Sequence, residues 1–244
     1  MNVLPITGLP VGKVSAAVLV CGDPERAQQI VGFLNDAKTL SQQREYHAYS
    51  GDHKGQQVTV CSHGVGSPGA AIAFEELIAA GAKRIIRVGT CGGFRQDLQP
   101  GSIVIATAAV QNTGYGRETV PIGYPAVADM ALTLALEATA VQHQLQTASG
   151  IVLTRDNFYA GVPTRNIPDY KVLAAANVLA VEMECAALFI VGALRQVQTA
   201  AVLAVDGNVL QTAESMQSYQ PHRKQVKTAV SQAIQIALDT VILN

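Results

Sequence analysis

The sequence predicts an α/β protein in which a mixed, mainly parallel twisted sheet carries helices on both faces. Three observations predict it. Short β-rich runs alternate with helical ones along the chain, the pattern that yields a mainly parallel sheet covered on both sides. The 244 residues are 49% hydrophobic, enough to bury a sizeable core in a single domain over residues 1–244. Aromatics make up only 5% and Trp is absent, so the core must be built from Ala, Val, Leu and Ile, which suits buried parallel strands and closely packed helices.

The elements follow in order. Ala17 to Cys21 is the first strand, ending in Gly22-Asp23-Pro24, and Pro24 opens a helix that runs to about Phe33, since a missing N–H is harmless in a first turn. Val58 to Ser62 is the second strand. Ser67 then offers an N-cap, Pro68 a first helical residue, and Gly81 a stop for the helix Gly69 to Ala80. Arg84 to Val88 and Ile103 to Val110 read as strands, Ala126 to Ala140 as a helix, Ile151 to Thr154 as a strand and Glu182 to Leu194 as a helix. Ala200 to Val205 is the last core strand. From about Arg223, Val226, Ala229, Val230, Ala233, Ala237 and Val241 recur at helical spacing. Ligands of such sheets gather at the carboxyl ends of strands, where Gly22-Asp23, His63-Gly64, Gly89-Thr90 and Asp206-Gly207 stand.

Composition excludes several classes. The formal net charge is −1 with no basic stripe, so nucleic acid is not an expected partner. Cys21, Cys61, Cys91 and Cys185 form no C-x-x-C pair, which argues against a zinc site or disulfide framework and for small buried thiols in a reducing compartment. No basic region precedes a long apolar run at the N-terminus, and no apolar stretch is long enough to span a bilayer. A cytoplasmic protein without membrane attachment, metal or organic cofactor is expected.

Gly64-Val65-Gly66-Ser67-Pro68-Gly69 matches the dinucleotide fingerprint, follows a strand and opens a helix. The fingerprint also needs an acid at the end of the next strand, and Ile85-Ile86-Arg87-Val88 is followed by Gly. A tight turn that lets backbone approach a ligand accounts for the glycines better.

Three constellations carry chemistry. Arg26 follows Gly22-Asp23-Pro24, Arg44 lies in Arg44-Glu45-Tyr46, and Arg87 sits inside an apolar strand before Gly89-Thr90-Cys91-Gly92-Gly93. A strand-borne arginine is costly unless it meets an anion or a carboxylate. With the glycine-rich N–H groups and the Thr90 hydroxyl it forms a phosphate cradle; the alternative is a buried ion pair for Arg87 and solvated roles for the other two. Val181-Glu182-Met183-Glu184 places two carboxylates two residues apart, so they project differently. One suits the vicinal hydroxyls of a ribose, or both are acids favoured at a helix N-terminus. Asp206 in Val205-Asp206-Gly207-Asn208 is either a desolvated general acid or part of an ordinary Asp-Gly turn.

Together these segments resemble the purine nucleoside phosphorylase and uridine phosphorylase family. The matching pieces are Gly22-Asp23-Pro24-Glu25-Arg26, Arg44-Glu45, Ser62-His63-Gly64-Val65-Gly66, Arg87-Val88-Gly89-Thr90-Cys91-Gly92, Phe158-Tyr159, Val181-Glu182-Met183-Glu184 and Asp206, spread from about residue 17 to the end. The resemblance implies a nucleoside phosphorylase fold and reversible phosphorolysis of a ribonucleoside to free base and ribose 1-phosphate, with inorganic phosphate as co-substrate. It implies that Gly22, Arg26, Arg87 and Thr90 bind phosphate and that Arg44 is lent by a neighbouring subunit of a homo-oligomer. It implies Met183 and Glu184 at the ribose, and Phe158, Tyr159, Glu182 and Asp206 at the base. Arg87 and Asp206 are then the catalytic pair, with Asp206 protonating a purine at N7.

The chain departs from the family in three places. The N-terminal His that contacts the ribose 5′-hydroxyl from across a subunit boundary is missing: Ile6-Thr7 stands there, and no His precedes His47. Arg155 replaces a small residue and either crowds the base pocket or points away. The Gln-x-Arg insertion with which uridine phosphorylases grip uracil is not evident between Gly161 and Tyr170, which carries only Arg165. That absence, with Asp206, favours purines. A uridine phosphorylase, a nucleosidase using water, and a non-catalytic nucleotide-binding protein are the alternatives; the nucleosidase has no use for the full arginine set, and the binding protein none for Asp206.

Overall fold

The computed structural model describes residues 2–159, 161–210 and 219–243. Its centre is β1 (Ala17–Cys21), whose Val18 to Cys21 are wholly buried because both sheet faces are covered. β1 runs parallel to β4 (Gln56–Ser62) on one side and to β5 (Arg84–Gly93) on the other. Beyond β4 lie β3 (Tyr46–His53) and β2 (Asn35–Gln43), both antiparallel to their neighbours.

On the other side the sheet closes on itself. β5 pairs in parallel with β10 (Gln198–Asn208), which meets β6 (Ile103–Asn112) antiparallel. β6 is parallel to β8 (Thr147–Arg155), β8 to β9 (Ala180–Glu182), and β9 returns antiparallel to β5. Five strands thus form a closed barrel, and the short β7 (Ala126–Val127) pairs with β6 outside it.

The mixed sheet is as expected, but its mainly parallel character is not. Parallel pairs are β1–β4, β1–β5, β5–β10, β6–β8 and β8–β9; antiparallel pairs are β2–β3, β3–β4, β5–β9, β6–β7 and β6–β10. The two kinds balance because the sequence conceals a hairpin. β2 reads Asn-Asp-Ala-Lys-Thr-Leu-Ser-Gln-Gln, and only Ser41 of it is buried, so it lacks the apolar alternation that marks a strand.

Helices cover both faces, as expected. α2 (Ser67–Ala80) and α6 (Cys185–Arg195) bury Phe74, Leu77, Leu188 and Phe189 in one core with Val18, Val20, Ile85 and Leu203. α1 (Pro24–Val31), α4 (Met130–Gln142) and α7 (Lys224–Val241) bury Ile30, Leu136, Ile234 and Leu238 in the other with Leu19, Ile86 and Val202. Each Val, Leu or Ile so buried contributes about 1.5–3 kcal/mol. Two short helices, α3 (Gly114–Thr119) and α5 (Tyr170–Ala175), lie in the connections.

Four boundaries differ from expectation. The stretch expected as one helix from Ala126 divides into β7 and α4, because the Asp129 carboxylate accepts from Leu132 N–H and caps the helix there. Glu182 closes β9 and α6 starts only at Cys185. Ser67 is the first residue of α2 rather than its cap, and its hydroxyl donates to Met183 O at 2.8 Å. β5 runs on through Gly93, so Gly89 to Gly93 is strand paired to β10, not a loop.

Candidate active site

β1, β4, β5 and β10 are parallel, so their carboxyl ends share one edge. There the β1–β4 pairing continues into the loops: His63 N–H donates to Cys21 O at 2.9 Å and Gly64 N–H to Gly22 O at 3.0 Å. Asp23 caps α1 by accepting from Glu25 N–H at 2.8 Å, which fixes the first turn and turns Arg26 back over the sheet. Arg26 Nη1 donates to Val88 O on β5 at 3.5 Å, and the side chain forms no ion pair among the described residues.

Arg87 projects from β5 into the same space and is 4% exposed. Its Nη2 donates to Glu184 Oε2 at 2.5 Å and to Glu182 Oε2 at 3.4 Å, while Nη1 meets His63 Nε2 at 3.3 Å. Its Nε is buried with no partner among the described residues. The guanidinium folds over Gly89: a Cβ there would lie 2.8 Å from both Cζ and Nη2, so this position admits only glycine without displacing the arginine. Burial alone would weaken the cation, but Glu184 and Glu182 outweigh it and hold Arg87 protonated.

The imidazole of His63 is wholly buried and lies edge-on to Phe74. Its Nδ1 lies 2.9 Å from Gly64 O, a pure acceptor, so Nδ1 carries the hydrogen and Nε2 accepts from Arg87. Burial above all, with Arg87 and Arg26 adding to it, pushes this imidazole well below its ordinary range and keeps it neutral. His63 thus orients Arg87 without competing with it for an anion.

The two glutamates differ in surroundings, as their spacing implies. The Glu182 carboxylate is fully engaged: Oε2 accepts from Glu184 N–H at 2.7 Å and Cys185 N–H at 2.9 Å, and Oε1 from Thr154 Oγ at 2.5 Å. It serves the N-terminus of α6 and lies beneath Arg87, not on an open face. Glu184 Oε1 accepts from Gly66 N–H at 2.6 Å, which explains the glycine turn after β4: Gly66 has φ +96°, a conformation costly for any other residue. Burial pushes the Glu184 carboxyl up from the ordinary carboxylate range; Arg87 opposes this and Glu182 adds to it. Met183, between the two, is half-buried and held through its carbonyl by Ser67.

Asp206 lies within β10, not beyond it, at the bulge where the register with β5 shifts between Val205 and Gly207. It is buried, and Oδ2 accepts from the Tyr219 hydroxyl at 2.7 Å. Phe158 and Tyr159 follow β8 and are exposed, with ring centroids 5.1 Å apart; Phe158 also lies 5.8 Å from Tyr219. Arg155 points away from this group, since Nη1 donates to the Tyr170 hydroxyl at 2.5 Å and the guanidinium stacks over that ring on α5.

The remaining expected residues are placed as follows. Thr90 is half-buried on β5 beside Ala204. Arg44 sits exposed at the β2–β3 turn with φ +53° and forms no ion pair among the described residues. The turn docks through Ser62, whose hydroxyl donates to Glu45 O at 2.6 Å and accepts from His47 N–H at 2.9 Å. In the Ile6-Thr7 stretch, Thr7 is buried and bound to Glu76 through both its N–H and its hydroxyl, at 2.8 and 2.6 Å.

The structure therefore brings together Gly22, Arg26, Arg87, Glu182, Met183 and Glu184 at one strand edge, and Phe158 and Asp206 through Tyr219, while Thr90 only follows Arg87 on β5. Sequence reasoning gave no role to His63, Thr154 or Tyr219. His63 stood in a quoted motif; Tyr219 carried no signal. All four thiols are buried, which pushes each up, Cys21 to about 12, so none is a thiolate nucleophile. No cluster of metal-ligating side chains occurs among the described residues, and no helix there is long and apolar enough to cross a membrane.

Known proteins resemble this chain in sequence and in fold. The sequence profile of the phosphorylase superfamily matches residues 16–242. A uridine phosphorylase of Treponema pallidum is 37% identical over 243 residues, covering 97% of this chain and 92% of its own. A purine nucleoside phosphorylase of Plasmodium vivax is 38% identical over 198 residues, covering 80% and 79%. The crystal structure of purine nucleoside phosphorylase from Toxoplasma gondii, in complex with immucillin-H, superposes with a TM-score of 0.91 at 32% identity, covering 99% of this chain and 96% of that one. The chain belongs to the phosphorylase superfamily.

Proposed function

We propose that the protein is a nucleoside phosphorylase that cleaves purine ribonucleosides with inorganic phosphate, releasing the base and ribose 1-phosphate. One observation carries the reading. Arg26 and Arg87 converge on the edge formed by β1, β4 and β5, Arg26 without a carboxylate and Arg87 with an unpartnered buried Nε among the described residues. Two guanidiniums at one strand edge, both near enough to bear on His63 and Glu184, suit an anion.

Phosphate held there, with Gly22 and Thr90, faces the ribose. Glu184, tied to Arg87 and Gly66, accepts from the sugar hydroxyls beside Met183. As the base departs, C1′ takes on oxocarbenium character, which the phosphate stabilises before attacking. Asp206 gives its proton to purine N7, and Phe158 and Tyr159 flank the base. Positioning and electrostatics supply most of the acceleration. Glu182 acts behind this surface by fixing Arg87 and the start of α6. The chemistry needs no cofactor beyond the co-substrate.

Arg44, exposed at its turn, completes the phosphate site of a neighbouring copy in a cytoplasmic homo-oligomer. Uridine is the second reading, favoured by the Treponema pallidum relative, whose match spans nearly the whole chain. Incubation with inosine, guanosine, adenosine and uridine, with and without phosphate, decides between them. Phosphate-dependent release of hypoxanthine or guanine supports the proposal; a strong preference for uridine overturns the purine assignment, and phosphate-independent hydrolysis overturns the phosphorylase.

A further inference from the structure

We infer that Tyr219 is a positioning residue of the base site: its hydroxyl holds the Asp206 carboxyl, and its ring completes with Phe158 the wall beside the leaving base. The inference rests on the reading of Asp206 as the proton donor. Tyr219 Oη lies 2.7 Å from Asp206 Oδ2, and its ring centroid lies 5.8 Å from that of Phe158 at a tilt of 56°. Asp206 belongs to β10 and Phe158 to the segment after β8, and Tyr219 touches both.

A carboxyl that must deliver a proton in one direction needs its other oxygen fixed. Tyr219, donating to Oδ2, fixes the orientation of the carboxyl. In phosphorolysis the electron pair of the C1′–N9 bond passes into the purine ring, the Asp206 proton moves to N7, and a phosphate oxygen forms the new bond to C1′. Asp206 is left as a carboxylate, and hydrogen bonds to ionised acceptors are stronger than those to neutral ones. The Tyr219 bond therefore strengthens along the reaction, which accelerates the chemical step rather than substrate binding.

Tyr219→Phe keeps the ring and removes the bond. The test compares wild type, Tyr219→Phe, Asp206→Asn and the double variant on inosine and on 7-methylinosine, whose base already carries the positive charge that N7 protonation creates and so departs without an acid. Tyr219→Phe is expected to lower kcat on inosine about tenfold, the low end for a lost bond to a charged group. KM for inosine and kcat on 7-methylinosine should stay within about twofold, as expected of an interaction that strengthens only on the way to the transition state. In the Asp206→Asn background the second substitution should add nothing, because the two act as a unit.

Equal slowing of both substrates by Tyr219→Phe, or full additivity with Asp206→Asn on inosine, overturns the inference and leaves Asp206 as the acid. Should wild type not turn over 7-methylinosine, the additivity on inosine decides alone. If Asp206→Asn itself spares inosine, or wild type does not cleave inosine, the acid reading fails and the role of Tyr219 falls with it.

Discussion

Glu182→Gln separates a residue that supports the site from one that touches substrate. In the folded chain the Glu182 carboxylate accepts from Thr154 Oγ, Glu184 N–H and Cys185 N–H, at 2.5, 2.7 and 2.9 Å, and lies 3.4 Å from Arg87 Nη2. The amide keeps the shape but has one accepting oxygen. If that oxygen serves the two backbone N–H groups, the NH2 faces Thr154, whose hydroxyl already accepts from Ala186 N–H at 2.9 Å. The charge-assisted bond to Arg87 weakens as well, in a place where water cannot substitute. Removing one partner of a buried, hydrogen-bonded pair costs about 3–5 kcal/mol, and the amide recovers part of it, so a loss of about 3 kcal/mol is expected. For a chain of this size that lowers Tm by roughly 6–12 °C. Calorimetry at fixed protein concentration, with KM for nucleoside and phosphate measured on the surviving fold at low temperature, reads both consequences. An unchanged Tm with a large rise in nucleoside KM would refute the supporting role and place Glu182 against the base.

Gly89→Ala sets a Cβ 2.8 Å from the Arg87 guanidinium and should raise KM for phosphate at least about tenfold, since a displaced cation cannot keep its hydrogen bonds; steady-state kinetics at varied phosphate check it. Arg26→Met removes a guanidinium that has no ion pair among the described residues, so phosphate KM should rise about tenfold or more while Tm moves by less than about 2 °C; a Tm drop without a kinetic effect would mark Arg26 as structural. Asp239 on α7 is partly buried, yet its bonds from Lys54, His53 and His143 pull its carboxyl down to about 2. A depressed carboxyl stabilises the fold above its unfolded pKa of about 4 and loses that contribution as pH falls through about 2. Asp239→Asn should therefore cost about 1 kcal/mol near neutrality, after allowance for solvent screening, and the difference from wild type in pH-dependent melting should shrink between about pH 4 and 2.

Much of this was legible because it rests on local signals. β1 coincides with its expected bounds, Ala17–Cys21, since an apolar run ends there in Gly-Asp-Pro. α7 begins at Lys224, where the helical spacing of apolar residues starts. Arg87 was conspicuous as a charge inside an apolar strand, and Glu182 and Glu184 as acids before an Ala-rich helix. What joins them was not legible: Arg87 and Glu184 are 97 residues apart, and only the closure of β5 through β9 brings them to 2.5 Å. Of the two alternatives for Arg87, the structure shows the buried ion pair, and the guanidinium keeps an Nε that the carboxylates do not take. β2 escaped notice because its partner β3, not its own hydrophobicity, makes it a strand. Tyr219 escaped because nothing in its own neighbourhood points to Asp206.

If the Arg26–Arg87 edge holds phosphate against a ribonucleoside, base release must depend on phosphate. Proton and phosphorus NMR of the enzyme with inosine decide whether it does, the proton spectrum following hypoxanthine and free ribose and the phosphorus spectrum following ribose 1-phosphate as inorganic phosphate is varied. Base release should saturate with phosphate, each base should be matched by one ribose 1-phosphate, and Arg87→Met should abolish both. Base released at the same rate without phosphate, with free ribose as the sugar product, would contradict it.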